Sequence, residues 1–168
     1  MEIVVETEID APPGAVWEIV AHRFAQIAEW SSDVDSSRMA ETHELAGMVP
    51  AASAPIAGRV TNSRVVTATE VLTAFSEERR AFTFEAVGLP KLVVPHMQST
   101  TTVSDDQSGG TILRMHLQMR FSLLFRPLGF VMKRRMTALY ERLGSDLIGV
   151  IGPAYDTRRD AEAAERSR

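Results

Sequence analysis

Residues 126–151, RPLGFVMKRRMTALYERLGSDLIGVI, decide how the rest of the chain is read. Leu128, Met132, Met136, Leu139, Leu143, Leu147 and Val150 recur at steps of three and four, which puts them on one face of a helical period. Lys133, Arg134, Glu141, Arg142, Ser145 and Asp146 fall on the other. The spacing predicts one long amphipathic helix, with Pro127 in its first turn, where a missing N–H costs nothing. At about 1.5 Å per residue such a helix runs roughly 38 Å, enough to cross a small sheet. Its apolar face has to cover something.

Just upstream lies the clearest strand, residues 111–122. Leu113, Met115, Leu117, Met119 and Phe121 alternate with Ile112, Arg114, His116, Gln118, Arg120 and Ser122, so the first set is predicted to face inward. Residues 2–9 alternate in the same way, with Ile3, Val5, Thr7 and Ile9 inward. Asp10 and the prolines Pro12 and Pro13 then end that strand and open a helix, for which Asp10 or a neighbour is the expected cap. A second short helix is expected over Phe24–Trp30.

Further strands are predicted at 34–44, 59–66, 67–75, 80–87 and 93–104, the last with Val93, Met97, Ser99, Thr101 and Val103 on one side and a DDQSGG turn after it. Residues 45–58, LAGMVPAASAPIAG, read as a long mobile connection. Consecutive strands with turn-sized links favour an antiparallel sheet. Helices placed before and after the run give an α+β class. Residues 2–152 are predicted to form a single domain and 153–168 a polar, frayed tail.

Composition narrows the function. A net charge of −4 argues against a general nucleic-acid binder, and the absence of cysteine removes disulfides, thiolate metal sites and a cysteine nucleophile. No apolar run reaches the about eighteen residues of a membrane span, and the N-terminus MEIVVETEID lacks the pattern of a signal peptide, so a cytoplasmic location is expected.

The sequence resembles the START-like superfamily, and within it the polyketide cyclase/dehydratase and lipid-transport group. The resemblance rests on EIDAPPGAVWEIV, on Phe24–Trp30 followed by SSDV, on the long antiparallel run and on the terminal amphipathic helix, and it covers residues 2–151. It implies the helix-grip fold: a curved antiparallel seven-stranded sheet wrapped around a long C-terminal helix, with two short helices after strand one and an elongated cavity between sheet and helix. It further implies an apolar ligand, such as a lipid, sterol or polyketide-like molecule.

The expected cavity wall follows from the inward parities and the helix face. From the sheet it takes Val71, Phe75, Phe82, Phe84, Met97, Thr101, Met115, Met119 and Phe121. Trp30 of the second short helix and Met132, Met136 and Tyr140 of the long helix complete it. Methionine suits such a wall because its flexible thioether fits varied apolar partners. Thr101 and Tyr140 are the expected polar orienting groups.

His22, His43, His96 and His116 show no metal-ligand spacing, and no serine sits in a nucleophile elbow. No metal, cofactor or catalytic residue is therefore assigned. Lys133, Arg134 and Arg135 read as a solvated helix face. Non-catalytic binding of a small apolar or amphipathic molecule is favoured over a cyclase/dehydratase-type enzyme, because the inferred inner faces hold almost no titratable groups. A protein-interaction module using an exposed surface is the further alternative.

Overall fold

Alternation in the sequence becomes pairing in the sheet. β1 (Glu2–Ile9), β2 (Ser36–Met39), β3 (Gly58–Asn62), β4 (Thr67–Ser76), β5 (Ala81–Val87), β6 (His96–Asp105) and β7 (Thr111–Arg120) form one seven-stranded antiparallel sheet in the order β1-β7-β6-β5-β4-β3-β2. The computed structural model describes residues 1–63, 66–107 and 109–166, with side chains through residue 152 except at 126 and 128. α1 (Pro13–Trp17) runs into a π-helical turn, Glu18–His22, and then a 3-10 segment, Phe24–Glu29; α2 (Gly129–Arg166) closes the chain. This is the α+β helix-grip arrangement.

The register fixes which face is which. Ile3 pairs with Leu117, Leu117 with Ser99, Ser99 with Phe84 and Phe84 with Leu72, so these residues share the face that receives α2. Their burial follows: Ile3, Leu72, Phe84, Ser99, Leu113, Met115, Leu117 and Met119 are all buried. α2 meets this face at two close points. The Tyr140 hydroxyl donates to Ser99 Oγ at 3.0 Å, and Gly144 lies so close to Thr7 of β1 that a Cβ there would overlap the threonine side chain.

Several expectations are corrected. The strand predicted at 34–44 shrinks to Ser36–Met39, because Thr42–Leu45 turns into a 3-10 helix capped by Glu41, with Glu44 closing the reciprocal bond to the Glu41 N–H. Val93 precedes its strand, which begins at His96. α1 is preceded by Pro12, with no side-chain cap from Asp10 or any neighbour. The long helix starts at Gly129 rather than Arg126, since Pro127 sits inside a 3-10 turn, Leu123–Leu128.

On α2 the buried stripe drifts from the predicted one: Val150 is exposed and Ile151 is buried, in line with Tyr140 and Leu147. The side chain of Leu128, and those of the tail from 153 on, lie outside the described residues. The connection 46–57 runs along β4 where β3 has ended. Ala51 N–H donates to Leu72 O at 2.8 Å, Leu72 N–H to Ala57 O at 3.0 Å and Ser53 Oγ to Phe75 O at 2.8 Å.

Candidate functional site

The concave face has a closed end and an open end. At the closed end Trp17, Phe24, Phe75, Phe82 and Phe84 pack ring to ring, Trp17 at 5.4 Å from Phe75 and Phe24 at 5.4 Å from Phe82. Trp17 Nε1 donates to Glu77 Oε1 at 2.9 Å, and His22 Nε2 lies 3.1 Å from the same oxygen. Desolvation pushes the Glu77 carboxyl up, but these two hydrogen bonds outweigh it and hold the group below its usual range.

A buried ion pair stands beside the rings. Arg59 of β3 donates from Nε to Glu70 Oε2 of β4 at 2.6 Å and from Nη1 to Phe24 O at 2.7 Å, and its guanidinium carbon lies 3.8 Å from the Phe24 ring centroid. Arg59 faces Glu70 across the β3–β4 ladder, and Glu70 shares the inner face with Leu72. The inner face thus holds titratable groups that the sequence reading left out. The Tyr140 hydroxyl belongs to the same region. Burial pushes its pKa well up; the Ser99 hydrogen bond and Arg59 pull it back, while Glu70 adds to the rise. At neutral pH it is a proton donor.

The open end lies where β6 starts and β7 ends. Met97 pairs with Met119 there, and Met97, Phe121, Met132, Met136, Leu139 and Leu143 are only partly buried, although all pack against the core. The cover changes along α2: Tyr140, Leu147 and Ile151 are buried, whereas Met132, Met136, Leu139 and Leu143 are only partly so and Phe130 and Val131 are exposed. A cleft of about 620 Å³ opens beside the start of α2, lined by Met1, Arg120, Phe121, Gly129, Phe130 and Lys133. A second, of about 380 Å³, lies across the sheet edge between Glu2, His96, Gln98, Gln118, Met119 and Arg120.

A family model described as polyketide cyclase / dehydrase and lipid transport matches residues 1–147. The chain belongs to that family. No curated protein matches it in sequence. Solved structures match its fold: the protein XoxI from Bacillus cereus, with a TM-score of 0.69 at 16% identity over 89% of this chain and 94% of that one, is one. A START superfamily protein from Mycobacterium smegmatis gives a TM-score of 0.69 at 10% identity, covering 91% and 98%. Ara h 8.0201 gives 0.59 at 10% identity, covering 89% and 98%.

Within this polyketide cyclase / dehydrase and lipid transport member, the predicted wall residues divide into three groups. Phe75, Phe82, Phe84, Thr101, Met115 and Tyr140 sit in or against the packed core, on the inner face or on the helix above it. Met97, Phe121, Met132 and Met136 are partly buried against the core, and the buried Met119 pairs with Met97 across the β6–β7 ladder. Trp30 packs against the core with its Nε1 buried and unpartnered among the described residues, as is the neighbouring Ser31 Oγ. Val71 belongs to none of them. A bulge between Leu72 and Ala74 reverses the parity, so Phe75 faces inward with Phe82, whereas Val71 pairs with Glu85 on the opposite face.

The cleft residues Met1, Arg120, Gly129, Phe130 and Lys133 were missed, since parity put Arg120 and Lys133 in solvent. Arg59 and Glu70 were missed as well. Pairing of β3 with β4 about the turn between Asn62 and Thr67 was the signal that could have joined them.

Each histidine lies beside a glutamate: His22 by Glu77, His43 by Glu41, His96 by Glu85 and His116 by Glu2. Among the described residues no three potential ligands converge on a metal position, and no helix is long and apolar enough to cross a membrane.

Proposed function

We propose that the chain binds a small apolar or amphipathic molecule, of lipid, sterol or polyketide size, at the open end between β6, β7 and the first turns of α2. The observation that carries this reading is the half-covered stripe of Met97, Phe121, Met132 and Met136 lying next to a cleft of about 620 Å³. A fully packed domain would bury such side chains against one another, as this one does at its aromatic end. Burying roughly 300 Å² of ligand at about 25 cal/mol per Å² is worth some 7 to 8 kcal/mol before association costs. Lys133 and Arg120 at the cleft suit an acidic or carbonyl group at one end of the ligand, and the unpartnered Trp30 Nε1 is a buried donor that an acceptor on a deeper ligand would satisfy.

The test is displacement of anilinonaphthalene sulfonate by a long-chain fatty acid. Wild type should bind the probe saturably. Met132→Lys should abolish binding by placing a charge in the apolar stripe, while Glu18→Ala on the exposed side of the π-helical turn should leave it unchanged. Non-saturable binding by wild type, or undiminished binding by Met132→Lys, sinks the reading.

One observation favours an acid/base enzyme of the cyclase type: Glu70 and Tyr140 stand on or over the inner face. Each already has a protein partner, Glu70 in Arg59 and Tyr140 in Ser99, which suits a positioning role better than proton traffic. Loss of cyclisation of a poly-β-keto thioester in Glu70→Gln, with probe binding retained, would establish the enzyme instead.

A further inference from the structure

The surface around the cleft carries large apolar side chains with nothing over them. Leu123 and Leu124 of the 3-10 turn are 77% and 82% exposed, Phe130 at the start of α2 is 82% exposed, and Leu92 is 84% exposed. Leu92 belongs to the same surface, because Ser122 Oγ donates to Leu92 O and Ser122 N–H to Val93 O at 3.1 Å, tying that loop to the turn. Phe130 joins it through Gly129, where a Cβ would stand 3.7 Å from Phe121. Isolated exposed leucines are ordinary; several gathered at one end of a sheet mark a contact surface.

The charge around it decides what the contact is. Between Met115 and Glu141 the chain has no acidic residue and five basic ones, Arg120, Arg126, Lys133, Arg134 and Arg135, in a protein whose net charge is −4. Arg120 and Lys133 line the cleft beside Phe130, and Arg134 and Arg135 are exposed on the next turn of the helix. Lys91 is exposed next to Leu92. A second copy of the chain fits poorly, since a two-fold pairing would set the same cations face to face.

We infer that the surface formed by Leu92, Leu123, Leu124 and Phe130, with Arg134 and Arg135 beside it, docks on an anionic lipid bilayer. The apolar side chains reach the acyl boundary and the cations meet the headgroups. In its purpose the inference rests on the ligand-binding reading, for the cleft opens inside this surface and docking would bring its mouth to the source of an apolar ligand.

The experiment is flotation of the full chain with vesicles of phosphatidylcholine alone or with about 30% phosphatidylglycerol, a content that gives a strongly anionic surface. Wild type should float with the anionic vesicles about tenfold or more better than with neutral ones, and salt should weaken it, as expected for screened charges. Leu124→Glu and the pair Arg134→Glu with Arg135→Glu should each cut flotation about tenfold or more. All three positions are exposed, so the fold is kept, and probe binding in vesicle-free solution should stay at the wild-type level.

Equal flotation with both vesicles, none with either, or full flotation of the variants overturns the inference. Concentration-dependent dimerisation lost in Leu124→Glu would do the same, assigning the surface to a second copy. A chain that floats yet takes no probe sinks the ligand reading alone; one that takes the probe yet never floats sinks docking alone.

Discussion

The Tyr140 hydroxyl of α2 donates to Ser99 Oγ of β6 at 3.0 Å, and both residues are buried. This bond ties the helix to the sheet where its half-covered first turns give way to the buried stretch ending at Ile151. Tyr140→Phe leaves the serine hydroxyl without its donor and should cost about 1 to 3 kcal/mol. Adding Ser99→Ala should recover part of the loss, as urea denaturation of both variants will show.

Gly144 is the closest approach of α2 to β1. A Cβ there would overlap Thr7 Oγ1 and stand 3.1 Å from Thr7 Cβ. Gly144→Ala should therefore destabilise by about 1 to 3 kcal/mol, against the usual gain for replacing a helical glycine. Thr7→Ala in the same chain should relieve most of it. Simple additivity in that double-mutant cycle would show that the two residues do not touch.

Arg59 and Glu70 form a pair whose side chains are only 7% and 13% exposed. Removing one partner strands the other charge, so Arg59→Ala should cost about 3 to 5 kcal/mol, with the lost stacking on Phe24 included. Arg59→Lys should fall short of wild type too, since an ammonium cannot hold Glu70, the Phe24 carbonyl and the Phe24 ring together. Thermal unfolding of the two variants checks the order.

The Glu44 carboxyl accepts from both Nη atoms of Arg38, at 2.7 and 2.5 Å, and from the Glu41 N–H at 2.9 Å. The Arg38 hydrogen bonds first, then the backbone bond, pull its pKa from 4.5 down to about 2. A depressed acid contributes stability that is present above its unfolded value and lost as pH falls through its folded one. The 3-10 turn Thr42–Leu45 should therefore hold at pH 5 and release between about pH 4.5 and 2. The Glu41 amide resonance should report the release, and Glu44→Gln should remove that titration.

Where one residue in two meets the core, the sequence is its own map. β7 repeats Leu, Met, Leu, Met without interruption, so its face and its place beside the helix were readable. The same rule failed at β4, since a bulge between Leu72 and Ala74 shifts parity without any mark in composition, which put Val71 on the wrong face. It failed at Arg59 and Glu70 because a charged residue at an inward position looks like an outward one until its partner across the ladder is known. The open end was hidden for a different reason. Met132 and Met136 lie on the same helical stripe as Leu147, yet only Leu147 is fully covered, and that difference depends on the packing of α2 on the sheet rather than on the stripe itself. The 34–44 segment offered only poor alternation, and its four-residue strand is held in register by β3.

The pairing of β1 with β7 has a consequence for synthesis on the ribosome. Glu2 and His116, whose side chains hydrogen-bond diagonally across that ladder, are 114 residues apart. At about 5 to 20 residues per second the strand made first waits roughly 6 to 23 seconds for its neighbour to leave the exit tunnel. Through that interval Ile3, Val5 and Ile9 have no strand beside them, and the five-stranded block from β6 to the β2 edge is complete before either β7 or β1 can join. The nascent chain therefore carries an unpaired β6 edge late in translation, and this is the stage at which a chaperone that shields apolar strands would have the most to hold.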